Sequence, residues 1–314
     1  MNILFVSSGN NKDGLSPIVR NQGESLIRNG VQIIFFTING KGFKSYFLHI
    51  FKLRKFLKQN KFDIIHAHYT YSAYVAALSG AKPLIVSLMG SDVISKINSK
   101  FLLQLFCKLF AKQIIVKSLD MYQCLKISEA EIIPNGVDIE KFKSIEKEEC
   151  LVNLGWDISK IHILFAADPT RPEKNFSLTQ KALTLLKLDY DIVLHLMQDL
   201  PHEIIPVYMN ASDVIILSSL HEGSPNVIKE AMSCNCSIVA TDVGDIRLII
   251  GETEGCYLSS FDPEDMAEKI HLALQFSNLK GKTNGRQKII TLGLDSDTVA
   301  HRIIKIYKSV RNTN

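Results

Sequence analysis

The sequence has no apolar run long enough to cross a bilayer. Its longest apolar stretch, residues 71–90, is interrupted by Lys82 and Pro83, well short of the roughly 20 residues that a membrane helix needs. No basic segment precedes the first apolar run, so we expect no secretory leader and a cytoplasmic location. No tract is compositionally biased, which excludes disordered, collagen-like and rod-like chains.

Signatures of bound cofactors are also scarce. The six cysteines lack the paired spacing of a zinc site, and we expect them to be reduced and mostly buried. The loop after the first predicted strand does not contain Gly-x-Gly-x-x-Gly, which argues against a nicotinamide dehydrogenase. No cluster of candidate ligands calls for magnesium or manganese, so we expect neither a metal nor a resident cofactor.

Acidic residues are sparse in the first part of the chain. Through Lys143, basic residues outnumber acidic ones by 19 to 9, whereas the remainder has 17 basic and 23 acidic residues. Between Asn39 and Phe62 lie seven basic residues and no acid. Apolar residues recur there at helical spacing, at Tyr46, Ile50, Leu53 and Leu57. We interpret this segment as a helix that contacts an anionic membrane surface; the alternative is a sheet-covering helix with a solvated basic face. Without a nucleic-acid-binding motif, we expect no nucleic-acid partner.

The length of 314 residues exceeds one ordinary core and predicts two domains. Short runs rich in Ile, Val, Leu and Phe alternate with longer amphipathic stretches, a rhythm typical of βαβ units with a parallel sheet covered on both faces. The predicted strands are residues 2–7, 31–37, 63–66, 84–88, 113–116, 131–133, 161–166, 192–197, 213–218 and 237–241. The predicted fold is α/β, with two doubly wound Rossmann-like domains and a ligand cleft between them.

We place the first domain at residues 1–143 and the second at residues 144–295. The charged passage at residues 139–160 is interpreted as the linker and the entry into the second domain. Residues 296–314 form a C-terminal amphipathic helix that we expect to cross back to the first domain.

Residues 218–234 give the strongest indication of a site. We expect a helix there that begins with Ser224 as N-cap and Pro225 in its first position. The backbone amides of Asn226 and Val227 then point outward at the positive end of the helix dipole. This arrangement suits a phosphate.

Two glutamates border the same predicted anion site. Glu222 lies in the loop before the helix, and Glu230 lies about one and a half turns into it, where its side chain leans back toward the N-terminus. Two hydroxyl acceptors beside a phosphate indicate a nucleotide sugar as ligand. The alternative is that Glu222 is solvated and Glu230 forms a surface ion pair with Lys229 or Lys181.

Two further loops follow predicted strands. Arg171 and Lys174 are expected to neutralise a diphosphate leaving group without a metal, the alternative being a solvated basic pair. In the first domain, Gly14 precedes a helix that we expect to begin with Ser16 as N-cap and Pro17 behind it. Gly14 would let the backbone approach a ligand closely, the alternative being a plain tight turn.

Two histidines lie at the end of the third predicted strand. We expect His66 and His68 to point to opposite sides of the extended chain, so that at most one faces the cleft. A histidine at this position is either a structural hydrogen-bonding group or a contact to substrate, and the sequence alone leaves both open.

Together these motifs resemble the retaining GT-B glycosyltransferases, specifically glycosyltransferase family 4. The resemblance covers nearly the whole chain and rests on Gly14, His68, residues 132–138, Lys174 with Asn175, residues 222–232 and residues 237–244. It implies that Glu230 binds the ribose of a nucleotide and Glu222 the hydroxyls of the donor sugar. It also implies that Lys174 and an arginine bind the diphosphate, and that His68 contacts the sugar near the reacting centre.

The chain departs from the family pattern at three places, one of which is a shorter stretch from Asp191 to Ser218. The usual arginine lies five or six residues before the lysine, whereas Arg171 lies three before Lys174. Met89 and Gly90 stand where the family has His-Gly.

The resemblance implies transfer of a hexose from a nucleoside diphosphate sugar to an acceptor hydroxyl, with retention of configuration. The first domain would bind the acceptor and the second the donor. With a basic first half, the expected acceptor is a lipid-linked glycan in cell-envelope polysaccharide synthesis, reached from the cytoplasmic face of the membrane. The alternatives are a GT-B sugar-nucleotide epimerase or hydrolase, and a non-catalytic sugar-binding protein.

Overall fold

The structure is a computed structural model that describes residues 1–11, 14–40, 42–90, 100–186 and 190–312. The chain forms two compact units, one of Met1–Gly136 with Ser296–Asn314 and one of Val137–Asp295. Each unit contains a parallel sheet with helices on both faces, so the predicted pair of Rossmann-like domains is confirmed. Strands and helices are numbered below in chain order within the described residues.

The first unit is built on a sheet of six described strands. They are β1 (Asn2–Ser8), β2 (Gln32–Ile38), β3 (Ile64–His68), β4 (Leu84–Ser87), β5 (Gln113–Val116) and β6 (Ala130–Ile132). Their order is β2-β1-β3-β4-β5-β6, and all neighbours are parallel. The helices are α1 (Pro17–Arg28), α2 (Phe43–Gln59), α3 (Thr70–Leu78), α4 (Lys100–Phe110), α5 (Leu119–Leu125) and, at the C-terminus, α13 (Ser296–Asn312).

Side chains alternate between the two faces of this sheet, as the strand period requires. Leu4 and Val6 join a core with α2, α3 and α4, whereas Ile3 and Phe5 join a second core with α1 and α13. Helix α1 begins as predicted, because Ser16 Oγ accepts a hydrogen bond from the Val19 amide at 3.4 Å.

Helix α2 forms where the basic segment predicted one, but its orientation differs from the prediction. Leu53 is buried, and Tyr46, Ile50 and Leu57 pack against the core of the first sheet. The apolar stripe that we expected to contact a membrane therefore covers the sheet. Within the described ranges, no helix combines the length and the apolar character that crossing a bilayer demands.

The second unit has a sheet of five described strands, β7 (Ile161–Phe165), β8 (Ile192–Leu196), β9 (Val214–Leu217), β10 (Ile238–Thr241) and β11 (Cys256–Ser259). Their order is β11-β10-β9-β7-β8, again all parallel. The helices are α6 (Lys147–Leu154), α7 (Phe176–Leu186), α8 (Ile205–Ala211), α9 (Asn226–Ser233), α10 (Ile246–Ile250), α11 (Pro263–Lys280) and α12 (Gly285–Thr291).

Every predicted strand is present, and β11 was not predicted. Part of the passage at residues 139–160, which we interpreted as the linker and the entry into the second domain, is helix α6 of the second unit. Cys150 and Leu151 of α6 pack against Ala211 at the end of α8. A short apolar stripe inside a charged passage thus became a packed helix of the second unit.

Helix α13 completes the core of the first unit. Tyr307 is fully buried, and its hydroxyl lies 2.7 Å from His66 Nδ1, while His66 Nε2 lies 2.8 Å from Ser87 Oγ. Burial raises the pKa of Tyr307, and burial, with His68 and Lys117 nearby, lowers the pKa of His66. Three neutral groups therefore satisfy one another inside the core.

Removing the Tyr307 hydroxyl should destabilise the protein. Tyr307→Phe leaves one ring nitrogen of His66 without its partner, so the free energy of unfolding should fall by about 1–3 kcal/mol. Tyr307→Ala adds a cavity and should cost about 3–5 kcal/mol. Urea unfolding followed by circular dichroism measures both. Tyr122→Phe, whose half-buried hydroxyl lies 3.4 Å from the Ser128 carbonyl, is the control and should change stability by about 0.5 kcal/mol or less. Wild-type stability of Tyr307→Phe would contradict this account.

Candidate active site

The candidate site of the second unit lies at the carboxyl edge of its sheet. Strands β7, β9 and β10 are neighbours there, so the loops that follow them start at the same edge. These loops are residues 166–175, 218–225 and 242–245. Most of the site residues predicted for this domain belong to the first two loops.

An ion pair joins the first two loops. Lys174 Nζ is hydrogen-bonded to Glu222 Oε1, and the two side chains are only 13% and 14% exposed. Ser219 Oγ donates to the same carboxylate oxygen at 2.7 Å. The structure therefore brings these two predicted residues together, and the alternative of a solvated Glu222 was wrong.

The backbone around Lys174 is fixed by the end of β9. Residues Pro172–Lys174 form one turn of 3-10 helix, and Asn175 follows with a left-handed φ of 49°. Ser218 Oγ donates a shared hydrogen bond to the carbonyls of Lys174, at 3.0 Å, and Asn175, at 2.9 Å. The lysine is thereby positioned by its main chain as well as by its carboxylate partner.

Arg171 is placed differently from Lys174. Its Nε lies 2.8 Å from Glu173 Oε1, and its side chain is 55% exposed. The guanidinium therefore pairs with a carboxylate two residues away and does not contact Glu222 in this structure.

Helix α9 begins one residue later than predicted. Pro225 is the N-cap and Asn226 the first helical residue, so the expectation that Ser224 caps the helix was wrong. Ser224 Oγ instead accepts a hydrogen bond from Lys229 Nζ at 3.0 Å. The amides of Asn226 and Val227 still occupy the first turn, where no intrahelical acceptor exists for them. The predicted anion-binding amides are therefore at the start of the helix.

Glu230 lies on α9 and is 8% exposed. Its Oε1 is 3.7 Å from His202 Nε2, and the other ring nitrogen of His202 is 2.6 Å from Lys141 Nζ. The sequence indicated neither His202 nor Lys141, because no motif links them to Glu230. The alternative of a surface ion pair was wrong, because Glu230 is buried.

Lys229 is another residue that the sequence did not identify. It is fully buried, and burial lowers its pKa to about 8, although Asp245 and Glu230 nearby favour its charged form. Its hydrogen bond to Ser224 ties the loop that carries Glu222 to the body of α9. The sequence contains one indication that this helix is buried. Apolar residues lie close to Lys229 in sequence, with Ile228 before it and Ala231 two residues after it.

Gly244 supports the Glu222 loop from the end of β10. Its φ is 61°, and a Cβ there would lie 2.5 Å from the Gly223 carbonyl oxygen and 2.8 Å from that of Glu222. The next amide, of Asp245, donates to the Gly223 carbonyl at 3.3 Å. Only glycine permits this close approach of two loops.

In the first unit, Gly14 lies in the loop after β1, with a φ of 78°. Its amide donates to the Asn11 carbonyl at 2.9 Å, and a Cβ would meet nothing within 4 Å. The left-handed conformation alone accounts for glycine here, as in a tight turn. Beside this loop is a pocket of about 280 Å³, lined by Ser7, Ser8, Asn11, Ser16, Val19, Tyr46, Tyr69, Tyr71 and Ser72.

The expectation that His66 and His68 point to opposite sides was wrong. Both lie in β3, where residues two apart share a face, and their rings stack with centroids 4.4 Å apart. His68 is fully buried, and neither ring nitrogen has a hydrogen-bond partner among the described residues. Burial, with a smaller contribution from Lys117, lowers the pKa of His68 to about 3, so the imidazole is neutral at pH 7.

The site of the second unit combines groups that suit a phosphorylated, hydroxyl-rich ligand. Lys174 and the first-turn amides of α9 are groups that can attract negative charge, and Glu222 and Glu230 are groups that can accept hydrogen bonds from hydroxyls. The described part of the chain contains no cluster of three or more side chains suited to holding a metal ion. Lys174 and the helix N-terminus supply positive charge at this edge of the sheet.

Two family models match the chain. The family described as Glycosyl transferases group 1 matches residues 159–275, and the family described as Glycosyl transferase 4-like matches residues 16–118. The chain is 23% identical over 234 residues to TuaC of Bacillus subtilis, a glycosyltransferase named for teichuronic acid biosynthesis. The match covers 66% of this chain and 60% of that protein.

A second relative is the UDP-Gal:alpha-D-GlcNAc-diphosphoundecaprenol alpha-1,3-galactosyltransferase of Escherichia coli. It is 26% identical over 250 residues, a match that covers 66% of this chain and 65% of that protein. The chain thus spans less than two thirds of the length of each of these two relatives.

Solved structures agree on the fold. Sucrose-phosphate synthase from Thermosynechococcus elongatus superposes with a TM-score of 0.78 at 15% identity, covering all of both chains. Anabaena HepE in complex with UDP-glucose superposes with a TM-score of 0.74 at 16% identity, covering 98% of this chain and 100% of that one.

Gly244→Ala should displace the Glu222 loop and abolish ligand binding at this site. The new Cβ would meet backbone atoms at 2.5 Å, so the loop must move away from Lys174. Thermal shift with a panel of nucleoside diphosphates measures the loss. Gly281→Ala is the matched control, because Gly281 has a similar φ of 77° and nothing within 4 Å of its Cβ position. Equal ligand responses in the two variants would show that Gly244 does not position the loop.

Burial of Lys229 should make stability depend on pH. Its pKa falls from 10.5 to about 8 on folding, so between those values the unfolded chain binds more protons and the free energy of unfolding rises with pH. Lys229→Met should remove this contribution and reduce the rise. Urea unfolding of both proteins at pH 8 and pH 10.5 compares the slopes; parallel profiles would contradict the buried, shifted lysine.

Proposed function

Because the chain belongs to the group 1 glycosyltransferases with the GT-B fold, we propose that it transfers a hexose from a nucleoside diphosphate sugar to a hydroxyl of a lipid-linked glycan. We further propose that the transfer retains the anomeric configuration and serves cell-envelope polysaccharide synthesis. The observation that carries the proposal is the Lys174–Glu222 pair, held beside the first turn of α9 at the carboxyl edge of the second sheet.

In this proposal the donor binds in the second unit. Its diphosphate takes the place of Glu222 as partner of Lys174 and also accepts from the amides of Asn226 and Val227. Glu222 is then released to accept a hydroxyl of the donor sugar. Glu230 accepts the ribose hydroxyls, with His202 behind it. Arg171 would have to leave Glu173 to add its charge to the diphosphate.

The reaction requires no covalent intermediate. The acceptor oxygen attacks the anomeric carbon on the face from which the diphosphate departs. The bond between that carbon and the phosphate oxygen breaks, and the acceptor proton passes to the leaving phosphate. Lys174 stabilises the charge that develops on the diphosphate, which is why neither a metal nor another cofactor is part of this proposal. His68, neutral in this structure, would act by hydrogen bonding to the sugar.

The names of the relatives support a lipid-linked acceptor. The Escherichia coli relative is named for a UDP-galactose donor and a diphosphoundecaprenol-linked acceptor. HepE was solved with UDP-glucose. For this chain we propose that the acceptor's sugar end binds the pocket beside β1. Tyr46, Tyr69 and Tyr71 supply aromatic surface there, and Ser7 and Ser16 supply hydroxyls for polar contacts.

Substitutions in the second unit should separate binding from turnover. Lys174→Ala should lower kcat by about two to three orders of magnitude, because it removes a charge that stabilises the leaving group. Glu230→Ala should raise the donor dissociation constant by about 10- to 100-fold, because a charged hydrogen-bond acceptor is lost. A thermal-shift panel of nucleotide sugars identifies the donor, and product analysis with lipid-linked glycans measures transfer.

Exposed residues of the same unit provide the controls. Lys181→Ala and Glu252→Ala should leave both constants unchanged. Donor consumption without glycan product would favour an epimerase or hydrolase. Tight sugar binding without any turnover would favour a binding protein. Wild-type kinetics in Lys174→Ala and Glu230→Ala would overturn the site.

A further inference from the structure

Helix α2 carries a second apolar stripe, on the side away from the sheet. Phe43 is 84% exposed, Phe47 49% and Phe51 54%, and Leu48 beside them is also exposed. The three phenylalanines are four residues apart, so they lie on one side of the helix. Their ring centroids are 6.2 Å apart between Phe43 and Phe47 and 5.3 Å apart between Phe47 and Phe51. Aromatic side chains thus form a continuous row on the surface of the first unit.

Helix α4 presents a similar surface. Leu103 and Cys107 face the core, whereas Phe101, Leu102, Leu105 and Leu109 are exposed. The sequence indicated this helix neither as a surface feature nor as a partner of α2.

Helix α3 joins α2 and α4 on the same side of the first sheet. The rings of Tyr46 and Tyr71 are 5.7 Å apart across α2 and α3, and those of Tyr74 and Phe106 are 4.5 Å apart across α3 and α4. Arg54 of α2 also donates to a carbonyl at the end of α3. We call the exposed apolar residues of α2 and α4 the aromatic face; its members are Phe43, Phe47, Leu48, Phe51, Phe101, Leu102, Leu105, Leu109 and Phe110.

The charge around the aromatic face is almost entirely positive. Between Glu24 and Asp120 the sequence has fourteen Lys or Arg and only two acids, Asp63 and Asp92. The described basic residues of α2 and α4 are all exposed and no acid accompanies them on either helix; they are Lys44, Lys52, Arg54, Lys55, Lys58, Lys100 and Lys108. Large exposed apolar side chains mark a binding surface, and a positive surround selects an anionic partner.

We propose that the aromatic face docks the protein on an anionic lipid bilayer, with phenyl rings among the lipid chains and lysines against the phosphates. A second copy would bring the same positive charges together, and nucleic acid would not cover exposed leucines. The inference rests in part on the proposed function, since Tyr46 lines the proposed acceptor pocket and lies between Phe43 and Phe47 in sequence. A bilayer on this face would hold a lipid-linked acceptor near that pocket.

Vesicle flotation of the full chain tests the proposal without substrates. The protein should float with vesicles of equal parts phosphatidylcholine and phosphatidylglycerol, and about tenfold less with phosphatidylcholine alone. Phe47→Ser with Phe51→Ser, and separately Lys52→Gln with Lys55→Gln, should each weaken binding to the anionic vesicles by about tenfold. These four side chains are exposed, so the variants should fold.

Matched controls lie elsewhere on the chain. Leu248→Ser with Leu279→Ser removes exposed apolar side chains of the second unit, and Lys305→Gln with Lys308→Gln removes exposed charges from α13, on the other side of the first sheet. Both should bind vesicles like wild type. Equal losses in the controls, or no preference for anionic lipid, would overturn the proposal.

Two further measurements separate the remaining outcomes. A dimer in size-exclusion chromatography that Phe47→Ser dissolves, with no lipid binding, would assign the face to a second copy and overturn the proposal. Thermal shift with the donor should be unchanged in all variants. If donor binding fails in wild type while vesicle binding holds, the proposed function fails and the membrane surface stands.

Discussion

Both sheets are parallel and are covered on both faces, and this constraint determines where chemistry can occur. The central strands are mainly apolar on both sides, and their few polar residues, such as His66 in β3 and His162 in β7, are buried. Most of the candidate site residues lie at strand ends or in the loops that follow them, and in parallel strands the carboxyl ends share one edge. In the second unit this edge brings together Lys174 after β7, Glu222 after β9 and Gly244 after β10. In the first unit, His68 is the last residue of β3 and the Gly14 loop follows β1, and these two strands are neighbours in the sheet.

Charges at this edge are buried, and burial is costly unless each charge has a partner. Lys174 and Glu222 neutralise each other, and Lys229 has Ser224, with Asp245 and Glu230 nearby. In the function proposed above, a ligand diphosphate would replace the carboxylate at Lys174, since both are anions that accept hydrogen bonds. In that proposed function, the ion pair would orient the lysine before the donor arrives, which is the preorganisation that charge stabilisation needs.

The sequence allowed prediction of features that depend on local pattern. The apolar runs predicted each strand except β11, and the Ser16-Pro17 pair predicted the start of α1. The eight-residue spacing of two glutamates located the candidate site. The residues that contact these glutamates in the folded protein could not be predicted from the sequence, because tertiary packing brings them together. His202 approaches Glu230 from a turn that precedes α8, and Lys229 is enclosed only once α9 is covered on all sides. The pairing of Arg171 with Glu173 likewise depends on the turn between them.

Helix α2 shows why orientation was the hardest feature to predict. Two apolar stripes run along it, one through Tyr46, Ile50, Leu53 and Leu57 and one through Phe43, Phe47 and Phe51. Both have helical spacing, so periodicity alone cannot decide which one faces the sheet. The sheet takes the stripe that contains Tyr46, Ile50, Leu53 and Leu57 and leaves the phenylalanines outside. In a helix with only one apolar stripe, the basic face would be entirely exposed to water. Helix α2 has aromatic rings among its lysines, a composition typical of a surface that binds lipid.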